Sequence, residues 1–481
     1  MLYNIHWVLS LILVPVVAII LIIAQCSVTV TLMCISIFLI VCSWMVSRFS
    51  LQNHLLMLLA VLLPFSVETS VSENLNINIP SEPILVIALF SLGWDLIGNR
   101  GLLKYYFGNG NIWIWPLLLC FAITPVFSTM AWVSVKFSIV NITYILVFFL
   151  WQKYLFTNQP HFFPKLVTLY SLSFLVILGW GIFQFARFDW NPLTIRGIFR
   201  PFYKDHTIFG ATSAILATFW FAYSKGMKTT TFRLISLLLG IIFLIAVILS
   251  GSRAAVLSLI FAGLLWVVLQ LSISVKKIAI GFVFVLLLIG VFHQAVFRFL
   301  QENKHLSHET ETSYLEKMES SGNISSDISN MERMNRWIAG FGMFAEKPWT
   351  GFGPGTYQFK YIPYQKPEFM SRLTVKDPWH IPENSGGTAH SEYILALSEM
   401  GIFGILALLF IFVYLIWIAF AKARFHLQRE MIIVAFCVLA TYLFHALFNN
   451  FLNTDKFAFL FWGSAAWIIS LFKIQPENKV F

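Results

Sequence analysis

Charged residues are scarce in this chain, since Asp, Glu, Lys and Arg together make up only 11% of its 481 residues. Hydrophobic residues make up 58%, and the mean hydropathy is +0.79. Soluble globular domains carry about 25% charged residues, so this composition excludes an ordinary soluble enzyme. It predicts an all-α polytopic membrane protein.

Cysteine is also scarce, and no cysteine has the spacing of a metal site. The five cysteines lie in or beside apolar runs: Cys26, Cys34, Cys42, Cys120 and Cys437. There they are small helix residues rather than a disulfide framework or zinc ligands. We expect no metal and no cofactor.

Runs of basic residues are absent, although the formal net charge is +10. Membrane proteins collect Lys and Arg on their cytoplasmic loops, so this charge does not indicate a nucleic-acid partner. The expected surroundings are membrane lipids.

Long apolar runs are abundant. A spanning helix needs about 20 apolar residues. Fourteen runs approach that length: 6–24, 28–46, 52–66, 82–97, 113–130, 137–154, 165–186, 206–223, 232–250, 254–270, 277–298, 394–420, 430–449 and 457–472. Two of them are short, so we expect about 12–14 transmembrane helices. The chain divides into a transmembrane bundle (1–298), a large extracytoplasmic loop with short helices (299–389) and C-terminal transmembrane helices (390–481).

The distribution of Lys and Arg predicts the orientation. If both termini are inside, the inner loops hold basic groups such as Lys225–Arg233 and Lys422–Arg429, whereas the outer loop 67–81 has no Lys or Arg. This arrangement follows the positive-inside rule. The large loop then lies on the outer side.

A polar stretch from Met331 to Gly404 interrupts the apolar sequence. Its first part predicts a helix that begins with a capping box at Ser329 and Glu332 and ends at Lys347-Pro348. The helix should place four apolar side chains on one face: Met334, Ile338, Phe341 and Phe344. Gly351–Gly355 follows as a turn. His390 then lies after Gly386-Gly387, at the start of the next apolar helix.

Arginines gather on the predicted outer side. Arg253 lies at the outer entrance of one helix, and Arg333 and Arg336 are three residues apart on another. A short outer loop adds four basic residues: Arg187, Arg196, Arg200 and Lys204. Guanidinium groups bind phosphate oxygens in bidentate fashion, so this cluster predicts a site for a multiply charged anion.

The order of these motifs resembles that of the O-antigen ligase and polymerase superfamily. The resemblance rests on "SGSRAAVLSLIFAG", on "KPWTGFGPGTYQF" after an Arg-containing helix, and on "AHSEYILALSEMGIFG". It implies a glycosyltransferase of the bacterial inner membrane whose active site faces the periplasm. The donor would be a glycan on undecaprenyl pyrophosphate, and the acceptor a sugar hydroxyl of lipid A–core.

The resemblance also implies roles for individual residues. His390 would be the general base, and Arg253 would stabilise the leaving pyrophosphate without a metal. Arg196, Arg200, Arg333 and Arg336 would bind the same pyrophosphate. Direct displacement by the acceptor would invert the anomeric carbon.

Other functions stay open at this point. The motifs do not separate a ligase from a polymerase that extends a lipid-linked glycan, nor from transfer to protein, although the ligase is favoured. A polysaccharide flippase or transporter would call for ionisable residues near the membrane midplane. The apolar runs are nearly free of charge at their centres, which disfavours transport.

Overall fold

The computed structural model describes residues 51–72, 75–98, 100–108, 111–271, 328–369, 387–422 and 428–473, together with residues 273, 277 and 280. Helices dominate these ranges: α1 Leu51–Leu62, α2 Ser81–Gly98, α3 Arg100–Phe107, α4 Trp115–Ile123, α5 Ala131–Asn158, α6 Phe162–Arg187, α7 His206–Lys225, α8 Thr230–Leu249, α9 Arg253–Gln270, α10 Ile328–Glu346, α11 Tyr357–Lys360, α12 Glu392–Lys422, α13 Arg429–His445 and α14 Asp455–Lys473. Short 3-10 turns follow some of them: Leu63–Phe65, Thr124–Phe127, Pro192–Arg196, Ile362–Tyr364 and Pro367–Phe369.

The described β-structure is one hairpin between α1 and α2. Strand β1 (Val67–Ser72) pairs antiparallel with β2 (Leu75–Ile79), with Val67 opposite Ile79 and an irregularity between Ser70 and Ser72. The predicted outer loop 67–81 is therefore a hairpin that leads directly into α2.

Eight helices in the described ranges are long and apolar enough to cross a membrane. Eleven of the fourteen predicted apolar runs coincide with described helices, and the runs 6–24, 28–46 and 277–298 lie outside the described residues except for single positions. The all-α polytopic membrane class is thus confirmed. The loop 299–389 is described only in part, so its extent and the domain boundaries stay predictions.

Helix α14 is the central helix of the bundle. Within its apolar segment, 94% of the residues are buried inside the protein. Large aromatic side chains surround it; for example, the ring centroids of Phe163 and Trp467 lie 5.0 Å apart, and those of Phe148 and Phe459 5.3 Å apart. A helix that is apolar on all sides is stable only when buried.

Polar contacts define two ends of the bundle. At the end carrying the β-hairpin, which we call the hairpin end, Lys204 pairs with Glu68 and the Lys456 ammonium donates to the Phe202 carbonyl. At the opposite end, Arg429 donates to the Leu269 carbonyl at 2.8 Å. The loops 187–206, 250–253 and 446–455 all lie at the hairpin end.

Helix α12 has a sharp kink at Gly401, where φ is +63°. The kink frees the N–H of Ile402 from the helix, and this N–H donates to the carbonyl of Pro348, earlier in the sequence, at 2.8 Å. A Cβ at Gly401 would lie 2.4 Å from the Trp349 carbonyl oxygen. Only glycine satisfies both the conformation and the contact.

We expect Gly401→Ala to lower the free energy of unfolding by about 2 kcal/mol or more, because positive φ alone costs alanine about 1–3 kcal/mol. Thermal unfolding of the purified protein in detergent measures this loss. The control is Gly263→Ala in α9, where an added Cβ meets no atom within 4 Å. That variant should stay within about 1 kcal/mol of wild type. Equal melting temperatures for the two variants would contradict this account of the kink.

Candidate functional site

The glycine-rich loop Gly351–Gly355 docks into the kinked part of α12. Phe352 N–H donates to the Ser398 carbonyl at 3.1 Å, and Gly353 N–H donates to the Glu399 carbonyl at 2.9 Å. The buried carboxylate of Glu399 accepts from the backbone N–H groups of Gly355 and Tyr357 at 2.8 and 2.9 Å. The predicted turn is confirmed, and its N–H groups bind both backbone carbonyls and a side-chain carboxylate of α12.

The glycines of this loop lie too close to neighbouring residues to carry a side chain. An added Cβ would lie 2.3 Å from the backbone of Glu399 at position 351, and 2.0 Å from the Ser128 hydroxyl at position 353. Both glycines also have positive φ, +66° and +110°. The loop therefore fixes the end of α10 against both α12 and the start of α5.

Helix α10 differs from its prediction in which face is buried. The buried residues are Glu332, Asn335, Arg336, Ala339 and Met343. Members of the predicted apolar face are only half-buried or, like Phe341, 53% exposed. The predicted capping box is also wrong, because Ser329 lies inside a helix that begins at Ile328. The predicted end is correct to within one residue.

Arg336 is a buried charged residue on the inward face of α10, and its contacts hold that face against the protein. Its Nε donates to the Glu332 carboxylate at 2.6 Å, and its guanidinium stacks 4.9 Å from the Tyr361 ring centroid. Its Nη1 donates to the Thr388 carbonyl at 2.8 Å. A Cβ on Gly387 would lie 2.5 Å from the same nitrogen. Arg336 thereby binds the segment that leads into His390.

His390 lies at the junction of this segment with α12. Its backbone is left-handed, with φ +50°, and its carbonyl accepts from Trp337 Nε1 at 3.3 Å. Its side chain is half-buried. The pKa of the ring is lowered to about 3, and desolvation by the surrounding protein is the largest cause. Arg336 and Arg333 lower the pKa further by repelling the charged ring. His390 is therefore a neutral imidazole at pH 7.

A second histidine and an amide lie beside His390. Asn449 forms a side-chain hydrogen bond with His390, and its Nδ2 lies 3.0 Å from His445 Nε2. Both Asn449 and His445 are buried, at 2% and 1% exposure. The His445 ring also interacts with the backbone of Ala254 in the first turn of α9.

Two helix starts complete the site. Asp205 caps α7 by accepting from Thr207 N–H at 2.8 Å, and His206 Nδ1 lies 2.7 Å from the Ser250 carbonyl. Ser252 caps α9, with Arg253 as the first residue of that helix. Asp205 attracts the charged form of His390 and so opposes the effect of the arginines.

The structure brings four of the predicted site residues to one place at the hairpin end. Arg333, Arg336 and His390 interact electrostatically, and Arg253 adjoins Ala254, which contacts the His445 ring. Arg196 and Arg200 are exposed on a neighbouring loop, whose Ile195 side chain would lie 3.7 Å from a Cβ on Gly251. The loop therefore borders the site without a described contact to His390.

Sequence analysis missed three members of this site: Asp205, His445 and Asn449. His445 and Asn449 end an apolar run, and the pair Asn449-Asn450 is an unusual polarity for a membrane helix end. That polarity was the available signal. In the described ranges, no three His, Cys, Asp or Glu side chains are grouped to bind a metal.

Glu392 connects the start of α12 with the end of α13 and the loop that follows it. Its carboxylate accepts from Leu452 N–H at 2.8 Å and from the Tyr442 hydroxyl, and its N–H donates to the Ala446 carbonyl at 3.0 Å. A cavity of about 50 Å³ lies between Glu392 and Glu399. The start of α12 is thus bound to the loop that carries Asn449.

One segment of the chain matches a known protein family. Residues 237–409 match the family model described as O-antigen ligase. The matched segment contains Arg253, Arg333, Arg336 and His390, together with the glycine-rich loop. A search of curated proteins found no match to the chain.

We expect Arg336→Met to destabilise the protein by about 3–5 kcal/mol, because it leaves the Glu332 carboxylate buried without its cation. Their side chains are only 8% and 6% exposed. The double variant Glu332→Gln/Arg336→Met should recover a large part of the loss, since no charge is then buried. Thermal unfolding of the three proteins measures this. Equal destabilisation of single and double variants would contradict the ion-pair explanation.

Proposed function

We propose that this protein transfers a glycan from undecaprenyl pyrophosphate to a sugar hydroxyl of lipid A–core. The match of residues 237–409 to the O-antigen ligase family model supports the proposal. The observation that carries the proposal is the neutral imidazole of His390 beside Arg333 and Arg336 at one end of a transmembrane bundle. The arginines suit a multiply charged lipid-linked donor, and the neutral imidazole suits a hydroxyl acceptor that must lose a proton.

The bond-forming step needs a base at the acceptor. The acceptor oxygen attacks the anomeric carbon while the bond from that carbon to the pyrophosphate oxygen breaks, which inverts the configuration. The hydroxyl proton passes to the unprotonated ring nitrogen of His390. An imidazole is suited to this role only when it is neutral, and burial with the neighbouring arginines keeps it so.

Donor binding also prepares His390 to hold that proton. In the free protein, Arg336 and Arg333 lower its pKa by repulsion. A bound pyrophosphate offsets those positive charges and raises the pKa of His390 towards the usual value. The base therefore becomes stronger when the donor is in place.

Positive charge at the leaving group is the second requirement. Arg253, Arg333 and Arg336 would bind the pyrophosphate oxygens, with Arg196 and Arg200 at the rim. Guanidinium groups supply bidentate hydrogen bonds as well as charge, so they stabilise the charge that develops on the leaving oxygens. This stabilisation requires no metal.

The site end of the bundle would face the periplasm of a bacterial inner membrane. The opposite end carries the basic groups of the short connections: Lys104, Lys225, Lys228, Arg233 and Arg429. By the positive-inside rule that end is cytoplasmic. The donor lipid then presents its glycan on the side where His390 lies.

We expect His390→Ala to reduce the transfer rate by on the order of 10²–10⁴-fold, as removal of a general base does. Donor affinity should be retained, because the arginines bind the pyrophosphate. Transfer from purified lipid-linked glycan to acceptor, measured together with donor binding, checks this for Ala and Asn variants. His161→Ala, an exposed histidine at the opposite end, is the control. Turnover near the wild-type rate in His390→Asn would exclude the base.

The lipopolysaccharide of a strain that lacks this protein distinguishes a ligase from a polymerase. We expect loss of all long O-chains and accumulation of lipid-linked polymer, because a ligase acts after the glycan is complete. Gel banding of lipopolysaccharide and extraction of lipid-linked glycan measure both, with the complemented strain as control. A core that carries a single repeat unit would instead identify a polymerase.

A further inference from the structure

We propose that Asn449 is a positioning residue that holds His390 in the tautomer needed to accept a proton, and that His445 in turn orients Asn449. This inference rests on the function proposed above. Asn449 and His445 lie outside the segment that matches the O-antigen ligase family, whereas His390 lies inside it.

The side-chain amide of Asn449 forms hydrogen bonds with both His445 and His390. With Nδ2 donating to His445 Nε2 at 3.0 Å, Oδ1 is the atom available to accept a hydrogen bond from an N–H of the His390 ring. One His390 nitrogen then carries hydrogen and the other is left as a free acceptor. A neutral amide therefore selects the tautomer.

The backbone fixes this amide in place. Asn449 N–H donates to the His445 carbonyl at 3.1 Å, so the backbone of Asn449 is held to the last residue of α13. The loop that follows is bound to the start of α12 through Glu392, two residues after His390. The distance between the Asn449 amide and the His390 ring is thus set by two independent attachments.

An amide differs from a carboxylate in this position. Histidine bases are held by a third group, which is a carboxylate in Ser–His–Asp sites and an amide in Cys–His–Asn sites. A carboxylate beside His390 would favour the charged ring before the donor is bound. The amide orients the ring and leaves its protonation to the surrounding charges.

These surrounding charges come from each element packed on the site. Arg333 and Arg336 on α10 repel a charged His390 ring, and Asp205 before α7 attracts it. His445 on α13 reaches it only through Asn449, and Arg253 begins α9 beside the backbone that contacts His445. A charge introduced at position 449 would act at the shortest range of all.

The test compares three full-length variants with wild type. Asn449→Asp should move the acid limb of the kcat/KM profile to higher pH by about one to three units, because an adjacent carboxylate favours the protonated base. Asn449→Ala should lower kcat by on the order of 10²-fold with little change in donor KM, since the ring loses its orientation. Asn450→Ala is the matched control, because Asn450 is also buried and its amide has no hydrogen-bond partner in the described ranges.

A second measurement does not depend on activity. Diethyl pyrocarbonate modifies unprotonated imidazole, and mass spectrometry reports the extent of modification at His390 as a function of pH. The midpoint should rise in Asn449→Asp and stay at the wild-type position in Asn450→Ala. His390 is partly exposed, so the reagent can reach it.

The two measurements separate failure of this inference from failure of the proposed function. If wild type transfers no glycan but the modification midpoint shifts in Asn449→Asp, the function fails and the positioning role survives. If wild type is active but neither profile moves, or if Asn450→Ala shifts them equally, the positioning role of Asn449 is overturned.

Discussion

The binding of backbone N–H groups by the Glu399 carboxylate is the interaction on which the site depends. A buried carboxylate is costly unless its oxygens are satisfied, and here one oxygen accepts from Gly355 at the end of the glycine-rich loop and the other from Tyr357 just after it. That segment places the end of α10, and α10 carries Arg336 to the backbone before His390. The kink at Gly401 provides the space in which the loop fits.

The polar face of α10 shows how ion pairing can override hydrophobic patterning. Arg336 and Glu332 are buried because each satisfies the other and because Tyr361 covers the guanidinium. An apolar face such as that of Phe341 need not be covered by protein beside a membrane, where lipid can receive it. Periodicity alone identifies two faces of such a helix, and it does not say which of them the protein buries.

Sequence reasoning recovered the helices and the turn because these depend on local properties. Apolar runs of spanning length, Lys347-Pro348 and the glycines of 351–355 carry their structural meaning within a few residues. The sequence also identified Arg253, Arg333, Arg336 and His390 as a group, through the resemblance of their motifs to one superfamily. The partners of His390 could not be predicted, because Asn449 is 59 positions away and tertiary contacts such as the Glu392 attachments bring it close. Asp205 reaches the same place from the start of α7, through tertiary packing that no local pattern records.

The attachments of α12 have a consequence for how the protein is made. Glu399 takes its backbone partners from residues synthesised 42 and 44 positions earlier, so they are present when α12 leaves the ribosome. Glu392 takes its partners from Tyr442 and Leu452, 50 and 60 positions later. Until α13 and the following loop have been made, the Glu392 carboxylate must stay hydrated at the membrane surface. Completion of the site is therefore tied to the last part of translation, and a chain truncated before α13 would lack both partners and expose an acidic group where the finished protein buries one.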